Sequence, residues 1–378
     1  MLPARKLGLF RKRLLAWFRK FHRDLPWRRT RDPYRVWLSE IMLQQTRVAA
    51  VIPYYERFLE RFPDVRALAE APQEEVLRLW SGLGYYSRAR NLQSAAQEII
   101  AKYHGKFPRE LNDALALPGI GNYTAAAILS IAYDAKHAVL DGNVARVLAR
   151  LGAIRGDLRE AKRWRGLRKS ADNLIDPKSP GEWNQAMMEL GATVCAPRAP
   201  QCLLCPIAKF CRARQLGLTD RLPEKRKKRV TEEVTLAAAV FLDHRGRTLI
   251  LPPSGLNARR ATKNEIAPLV SRMWQFPMVR VREHAAAELQ SFLAELNSAV
   301  ANHGARLEPL SEARHTVTYR KITLLPFRVA VAALPTVSGG KVVPLTDVSS
   351  LSSLAVSNLT RKIARAALAE RAKAAAAR

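Results

Sequence analysis

The spacing of apolar residues in this chain changes once, at the basic run RLPEKRKKRVTEE, residues 221–233. Before this run, apolar residues recur every three or four positions, as in VWLSEIMLQQTRVAAVIPYYERFLERF, which predicts amphipathic helices. After it, segments such as VTLAAAVFLD and RTLILPP predict strands, with one helix between strands and another at the C-terminus. We therefore expect an all-α domain over residues 1–220, a linker over 221–233, a smaller α+β domain over 234–370 and a tail over 371–378.

The charge of the chain is strongly unbalanced. It contains 63 Lys and Arg against 33 Asp and Glu, a formal net charge of +30. Such an excess concerns electrostatic partners and favours a phosphate backbone. An anionic membrane surface is the alternative, because MLPARKLGLFRKRLLAWFRKFHR could form a cationic amphipathic anchor. Basic residues continue along the whole chain, and neither a membrane span nor a signal peptide is recognisable, so we predict a cytoplasmic protein without a membrane partner.

The four cysteines of the chain fall within one short window, with the spacing C-x6-C-x2-C-x5-C. They are Cys195, Cys202, Cys205 and Cys211. In a cytosolic protein such a cluster indicates a metal site and not disulfide bonds. Four thiolates can close a tetrahedral zinc site or hold a [4Fe–4S] cluster, and the spacing by itself leaves both open.

The segment LPGIGNYTAAAIL, Leu117 to Leu129, has the form of a helix-hairpin-helix. Gly119 and Gly121 allow a tight turn, and the free N–H groups of the helix that follows could bind a phosphate oxygen. An ordinary interhelical turn is the alternative. Further along, in VLDGNVARVL, Asp141 is expected to cap a helix, and a carboxylate at a helix N-terminus is expected to stay ionised.

Glu40 is an acidic residue within the apolar run WLSEIMLQQT. Its neighbours Trp37, Ile41 and Leu43 would desolvate it and raise its pKa, so that it could donate a proton near neutral pH. The alternative is a solvated residue on a helix surface. Gln44 and Gln45 follow at four and five positions, on the same side of the expected helix as Glu40.

Three segments, LPWRRTRDPYRVWLSEIMLQQTRVAAVIPYYERF, WSGLGYYSRARNLQSAA and GEWNQAMMELGATVC, resemble the MutY-type adenine DNA glycosylases of the helix-hairpin-helix, endonuclease III-like superfamily. The resemblance covers most of residues 10–215. It implies an all-α helix-hairpin-helix glycosylase domain with an iron–sulfur cluster loop, in which the four cysteines hold a [4Fe–4S] cluster. It also implies base excision repair: a monomeric enzyme, bacterial and nucleoid-associated, that removes adenine paired with 8-oxoguanine or guanine in double-stranded DNA after flipping it out of the duplex.

The resemblance also implies roles for individual residues. Glu40 would protonate N7 of adenine and then activate water, while Asp141 would stabilise the oxocarbenium-like sugar and Asn143 would place the water. Tyr123 stands where bifunctional members carry a lysine that forms a Schiff base, so it would shape the site without cleaving the strand. The residues expected to contact adenine or DNA are Trp27, Arg28 and Gln185 in the adenine pocket, Gln45, Leu83 and Tyr85 as wedge residues, Gly119 and Gly121 in the hairpin, and Arg198 in the cluster loop.

The second domain resembles the Nudix-like C-terminal domain of the same family through LPPSGL and MWQFP. That domain would read 8-oxoguanine, with the Thr318 hydroxyl meeting the damaged base, and residues 257–272 would form an insertion. The Nudix hydrolase box is missing, so no pyrophosphatase activity is expected. Two alternatives stay open: a bifunctional pyrimidine-lesion DNA glycosylase with AP lyase activity, which Tyr123 disfavours, and a non-catalytic iron–sulfur protein that binds mismatches, which Glu40 and Asp141 disfavour.

Overall fold

A computed structural model describes residues 4–224, 231–252, 273–296, 306–317, 319–331, 333–350 and 356–376. The chain forms two compact units: Met1–Glu70 with Asn91–Lys227, and Ala71–Arg90 with Lys228–Arg378. The segment Ala71–Arg90, which lies inside the predicted helical domain, thus belongs by its contacts to the second unit. The insertion 257–272 and part of the linker fall outside the described residues. None of the helices that the structure describes is long and apolar enough to cross a membrane.

Every regular element of residues 4–224 is a helix, as the apolar spacing predicts. Besides two short 3-10 turns at Pro26–Arg28 and Ala208–Phe210, these elements are α1 Ala4–Phe21, α2 Pro33–Leu43, α3 Val48–Arg61, α4 Val65–Glu70, α5 Gln73–Trp80, α6 Ser87–Tyr103, α7 Leu111–Ala116, α8 Asn122–Tyr133, α9 Gly142–Gly152, α10 Ala161–Leu174, α11 Pro180–Thr193 and α12 Arg212–Gln215.

Helix α2 is the central helix of the first unit, and its start is encoded locally. The Asp32 side chain accepts a hydrogen bond from the Arg35 N–H at 2.9 Å, and Pro33 occupies the first helical position. The helix then packs on α8 and buries almost all of its residues, including Trp37 and Leu38. Tertiary burial of this kind, more than helix propensity, stabilises so short a helix.

The second unit contains the strands. They are β1 Glu232–Leu242, β2 Arg247–Ile250, β3 Met278–Arg280, β4 Leu307–Pro309, β5 Ala313–Val317, β6 Arg320–Ala330 and β7 Lys341–Pro344. The helices that accompany them are α13 Ala285–Leu296, α14 Leu345–Ser349 and α15 Asn358–Ala376. The main sheet has the order β3-β1-β6-β4, with β5 also pairing with β6, and β2 pairs with β7 in a second sheet. The prediction of a helical region followed by an α+β region is confirmed.

Strand β1 is apolar along most of its length because both faces of its sheet are covered. It pairs in parallel with β6, with Leu236 opposite Leu324. One face, which includes Leu236, packs with Ile363 of α15, and the other face, which includes Phe241, packs with Leu293 of α13. A strand buried on both faces reads as a continuous apolar run, which is the pattern of VTLAAAVFL.

Candidate active site

A cavity of about 210 Å³ lies in the first unit, between α2, α8, α9 and α11. Seven of the residues that the sequence marks as functional line it: Trp27, Arg28, Glu40, Tyr123, Asp141, Asn143 and Gln185. A larger cavity of about 560 Å³, lined by residues such as Tyr34, Lys106 and Tyr133, contains none of the predicted site residues. We therefore assign the candidate site to the smaller cavity, because it brings two carboxylates together beside polar groups.

Glu40 lies on α2 with only 6% of its surface exposed. Its Oε2 accepts a hydrogen bond of 2.7 Å from the Tyr123 hydroxyl, and that hydroxyl is also 3.1 Å from the Met188 sulfur. Burial raises the pKa of Glu40 to about 7, although the Tyr123 hydrogen bond opposes the rise, and the negative charge of Asp141 adds to it. The pKa thus moves in the direction expected from the sequence, and a large fraction of Glu40 is protonated near neutral pH.

Asp141 caps α9, with Oδ1 accepting a hydrogen bond of 2.7 Å from the Val144 N–H. Its pKa, however, is raised, because burial outweighs the backbone hydrogen bonds from Val144 and Asn143 and the charge of Arg146, all of which lower it. The N–H groups at the start of α9 do lower the pKa of Asp141, as a helix N-terminus should, but burial raises it by more. The sequence places Asp141 at a helix start but does not reveal how deeply the neighbouring helices enclose it.

Asn143 is held in place by a buried arginine that the sequence analysis did not single out. Arg146 Nη2 donates to the Asn143 Oδ1 at 2.8 Å and to the Gly191 carbonyl at 2.7 Å, and Arg146 Nε donates to the Cys195 carbonyl at 2.8 Å. The only sequence signal is a charged residue among apolar ones on α9. Asn143 is thereby connected through Arg146 to the start of the cysteine loop.

Trp27 and Arg28 enter the cavity from the 3-10 turn, where Arg28 meets a second residue that the sequence analysis missed. The buried Glu189 accepts hydrogen bonds from Arg28 Nη2 at 2.8 Å and from Arg23 Nη2 at 2.7 Å. Burial would raise the pKa of Glu189, but the hydrogen bonds from Arg23 and Arg28 lower it to about 2. A sequence signal exists, since Glu189 follows Gln185 by four residues and so shares its face of α11. Arg28 is thus fixed by an ionised partner at the edge of the cavity.

The hairpin glycines have different local requirements. Gly119 has φ +77°, and a Cβ atom built there would lie 2.7 Å from the Asn91 Cβ. A larger residue would therefore strain the backbone and displace the Asn91 side chain. Gly121 has an extended backbone, caps the N-terminus of α8 and has open space around a built Cβ. The N–H groups of this 12-residue helix begin beside an uncrowded turn, as a phosphate contact would require.

Gln45 is exposed, but it does not lie on the helix that carries Glu40. Helix α2 ends at Leu43, and Gln45 adopts φ 58°, in the left-handed region. Gln44, the C-cap, donates to the Thr124 Oγ1 at 3.4 Å. The argument that both glutamines share a helix face with Glu40 is therefore wrong. A left-handed conformation at a residue other than glycine is unfavourable and is maintained by its surroundings, a feature common at functional positions.

The remaining predicted DNA contacts lie outside the cavity. Leu83 and Tyr85 belong to the second unit, where Leu83 is 7% exposed and Tyr85 is 39% exposed with φ 49°. Arg198 is exposed in the cysteine loop. Thr318 lies outside the described residues.

The four cysteines are half-buried and form no disulfide bonds. The pKa of Cys205 is raised to about 12, mainly by burial, with smaller contributions in the same direction from Cys195, Cys211 and Cys202. Arg150 Nη1 donates to the Cys195 Sγ at 3.3 Å and to the Ala196 carbonyl at 2.7 Å. Among the residues that the structure describes, no three or more His, Cys, Asp or Glu side chains converge as a set that could hold a single metal ion.

Comparisons with known proteins bear on this arrangement. A family model described as HhH-GPD superfamily base excision DNA repair protein matches residues 38–171. A solved thermostable thymine-DNA glycosylase is 30% identical to this chain, with a TM-score of 0.52, over 56% of this chain and 98% of that one. The chain belongs to the HhH-GPD superfamily. The HhH-GPD match includes Glu40, Tyr123 and Asp141, whereas the four cysteines lie beyond it.

The HhH-GPD chain is also similar to curated adenine DNA glycosylases. It is 49% identical to that of Rattus norvegicus over 215 residues, which are 54% of this chain and 42% of the rat protein. It is 42% identical to that of Buchnera aphidicola over 222 residues, which are 57% of this chain and 62% of the Buchnera protein. These identities confirm the resemblance seen in the sequence motifs. The chain spans less than half the length of the rat protein that it matches.

Proposed function

We propose that this protein is a monofunctional adenine DNA glycosylase that excises adenine paired with 8-oxoguanine or guanine in duplex DNA. One observation carries the proposal: a buried carboxyl group with a pKa of about 7, Glu40, lies in the same cavity as a second carboxylate, Asp141, and contacts a tyrosine where a strand-cleaving enzyme would need an amine. The names of the curated relatives support adenine as the base that is removed.

The chemistry divides between the two carboxyl groups. Protonated Glu40 donates its proton to N7 of the flipped adenine, so that the electrons of the C1′–N9 bond can leave with the base. The positive charge that develops on the sugar is stabilised by ionised Asp141, which is fixed in orientation by its bond to the Val144 N–H. Glu40, now a carboxylate, accepts a proton from the water that adds to C1′, with Asn143 orienting that water.

The outcome of the reaction is set by Tyr123. A lyase reaction requires an amine that forms a Schiff base with C1′. No lysine is among the described residues that line the cavity, and burial raises the pKa of Tyr123 well above its ordinary value, so its hydroxyl stays neutral. Water is therefore the nucleophile, and an intact abasic strand is the product. This argues against a bifunctional pyrimidine-lesion enzyme, while the paired carboxyl groups argue against a protein that only binds mismatches.

Binding to duplex DNA would come from charge and from backbone groups. The net charge of +30 and the exposed Arg198 favour phosphate contacts, and the N–H groups at the start of α8 offer a further one. Gln45 of the first unit and Tyr85 of the second unit are exposed side chains on left-handed backbone, and each is proposed as a wedge residue for base flipping. The second unit is proposed to be Nudix-like and to read 8-oxoguanine, with Thr318 as a contact.

Cys195, Cys202, Cys205 and Cys211 are proposed to hold a [4Fe–4S] cluster. The donor set fits by its chemistry, because one short window supplies four cysteines and such a cluster takes four cysteine thiolates. When bound, the cluster would supply structural cross-linking of the loop. We expect purified protein to be brown, with absorbance from thiolate-to-iron charge transfer, and Cys205→Ser to lower iron content and melting temperature. Stoichiometric zinc with no iron would contradict this assignment.

The function is tested with a duplex that contains one A:8-oxoguanine pair. Strand scission only after alkali treatment supports a monofunctional adenine glycosylase, because alkali cleaves the abasic site. Scission without alkali would indicate a lyase, and tight binding without scission would indicate a mismatch binder. The same duplex with A:T in place of the mispair is the control, and equal release from it would contradict the mispair assignment.

The pH dependence of adenine release should report the pKa of Glu40. Release should fall as the pH rises through about 7, because the proton-donating form of Glu40 is lost. The Tyr123 hydrogen bond lowers this pKa, so Tyr123→Phe should move the midpoint to higher pH. Tyr133→Phe is the matched control, since the Tyr133 hydroxyl donates to the Phe107 carbonyl away from this cavity. A midpoint that Tyr123→Phe leaves in place would contradict the assignment of this limb to Glu40.

A further inference from the structure

The loop Gly82–Tyr85 connects α5 to α6 and carries the exposed Tyr85 side chain. Its backbone is unusual, since Gly82, Gly84 and Tyr85 have φ values of 112°, 71° and 49°. Tyr85 therefore has a backbone conformation that residues other than glycine rarely adopt. Without contacts that enforce it, the loop would relax to other conformations.

Part of the enforcement is local. Arg88, at the start of α6, donates from Nη2 to the Gly84 carbonyl at 3.1 Å and to the Leu83 carbonyl at 3.3 Å. The Trp80 indole N–H also donates to the Gly84 carbonyl, at 3.2 Å. The Arg88 guanidinium lies 5.6 Å from the centre of the Tyr85 ring and 5.4 Å from that of Trp80. These contacts fix the inner side of the loop.

The second set of contacts comes from residues about 270 positions away, at the start of the C-terminal helix α15. The Ser81 hydroxyl donates to the Val356 carbonyl at 3.1 Å, and the Tyr86 hydroxyl donates to the same carbonyl at 3.2 Å. Arg361 of α15 donates from Nη2 to the Ser81 Oγ. Ser81, Tyr86 and Arg361 are all buried.

The start of α15 is capped by a side chain. The Ser357 Oγ accepts a hydrogen bond of 3.1 Å from the Thr360 N–H and is 2.9 Å from the Thr360 hydroxyl. At the outer edge, the Asn358 side chain donates to the Gly82 carbonyl at 3.5 Å. The residues that flank the loop, Ser81 and Tyr86, are thus attached to a capped helix of the second unit, to which the loop also belongs.

We propose that Arg361 and Ser81 are positioning residues for base extrusion: by binding the loop to α15 they present Tyr85 to DNA in one conformation. The inference rests on the proposed function, in which Tyr85 acts as a wedge residue. Helix α15 would then contribute to base extrusion by holding the loop, in addition to any contact that the second unit makes with the opposite base. The hydrogen bonds are buried and one involves a charged group. Removing them should therefore have a large effect on the conformation of the loop.

The test uses the full-length protein with Arg361→Met, which keeps the aliphatic packing, and with Ser81→Ala, a smaller change in case the first variant fails to fold. Lys362→Ala is the matched control, because Lys362 is an exposed neighbour on α15 that contacts the Arg314 carbonyl instead.

Single-turnover adenine release is measured from a duplex mispair and from an adenine in a one-base bulge, which is easier to extrude. A 2-aminopurine at the target position, with Glu40→Gln added to each protein, reports extrusion by fluorescence without catalysis.

We expect each positioning variant to lower the rate on the mispair by about tenfold and to lower the 2-aminopurine signal at saturating protein, with a much smaller loss on the bulged adenine. A protein with both Arg361→Met and Ser81→Ala should lose less than the product of the two single losses, because both changes break the Arg361–Ser81 contact. Unchanged rates and fluorescence, or equal losses on both substrates, would overturn the proposal. If the unchanged protein released no adenine, the proposed function would fail, while the fluorescence of the variants would still decide whether Arg361 and Ser81 control extrusion.

Discussion

Glu40→Gln should reduce single-turnover adenine release by roughly three orders of magnitude, within the range that general acid catalysis contributes. Glutamine has nearly the same shape and can still accept the hydrogen bond from the Tyr123 hydroxyl. It has no acidic proton that it could transfer to adenine at neutral pH. The reaction would then need the base to leave as an anion, which is the step that Glu40 avoids.

The affinity for DNA separates a loss of catalysis by Glu40→Gln from a loss of binding. Affinity for the duplex depends mainly on phosphate contacts, so the Glu40→Gln protein should bind the mispair with a similar affinity and a similar salt dependence. Glu56→Gln on the exposed side of α3 is the matched control and should leave release unchanged. Release by Glu40→Gln within tenfold of the unchanged protein would remove Glu40 as the acid.

Asp141→Asn should lower the rate of adenine release by about two to three orders of magnitude, similar to the loss of one preorganised electrostatic contact. Asparagine caps helices about as well as aspartate, so the bond from the Val144 N–H to position 141 can be kept and the start of α9 preserved. The variant therefore removes the negative charge beside the sugar with little change in the fold. The two measurements are the single-turnover rate and the melting temperature.

Asp32→Asn makes the same chemical change at the N-cap of α2, where the carboxylate accepts from the Arg35 N–H outside the catalytic cavity. We expect it to leave both the rate and the melting temperature nearly unchanged. If Asp141→Asn lowered the melting temperature by many degrees, and the rate fell only as much as the fraction of folded protein, Asp141 would be a helix cap. It would then not be a group that stabilises the transition state.

Local sequence signals were sufficient for the elements and for several site residues. Asp32 and Pro33 predicted where α2 begins, and the apolar run around Leu236 predicted a strand. Asp141 was expected at a helix start, and it caps α9. The placement of Gln45 was wrong, because α2 ends two residues before it and no local pattern marks that end.

Other features depend on contacts between distant residues. Glu189 meets Arg23 and Arg28 across more than 160 residues of sequence, and the attachment of Ser81 to Val356 spans 275. Neither pairing follows from spacing along a helix or a strand. The same holds for the assignment of Ala71–Arg90 to the second unit, which interrupts a run of helices that reads as continuous.

The sequence by itself determined the order of helices and strands, the cysteine window and the identity of the two acidic side chains, because periodicity, capping and residue chemistry are local properties. Only the tertiary structure decided how strongly burial acts on those acids and which residues support the Tyr85 loop. Burial raises the pKa of Glu40 to about 7, with the charge of Asp141 adding to the rise, and burial also raises the pKa of Asp141 although that residue caps a helix. Desolvation depends on which helices enclose a group, and that is settled only when residues far apart in the chain are packed together.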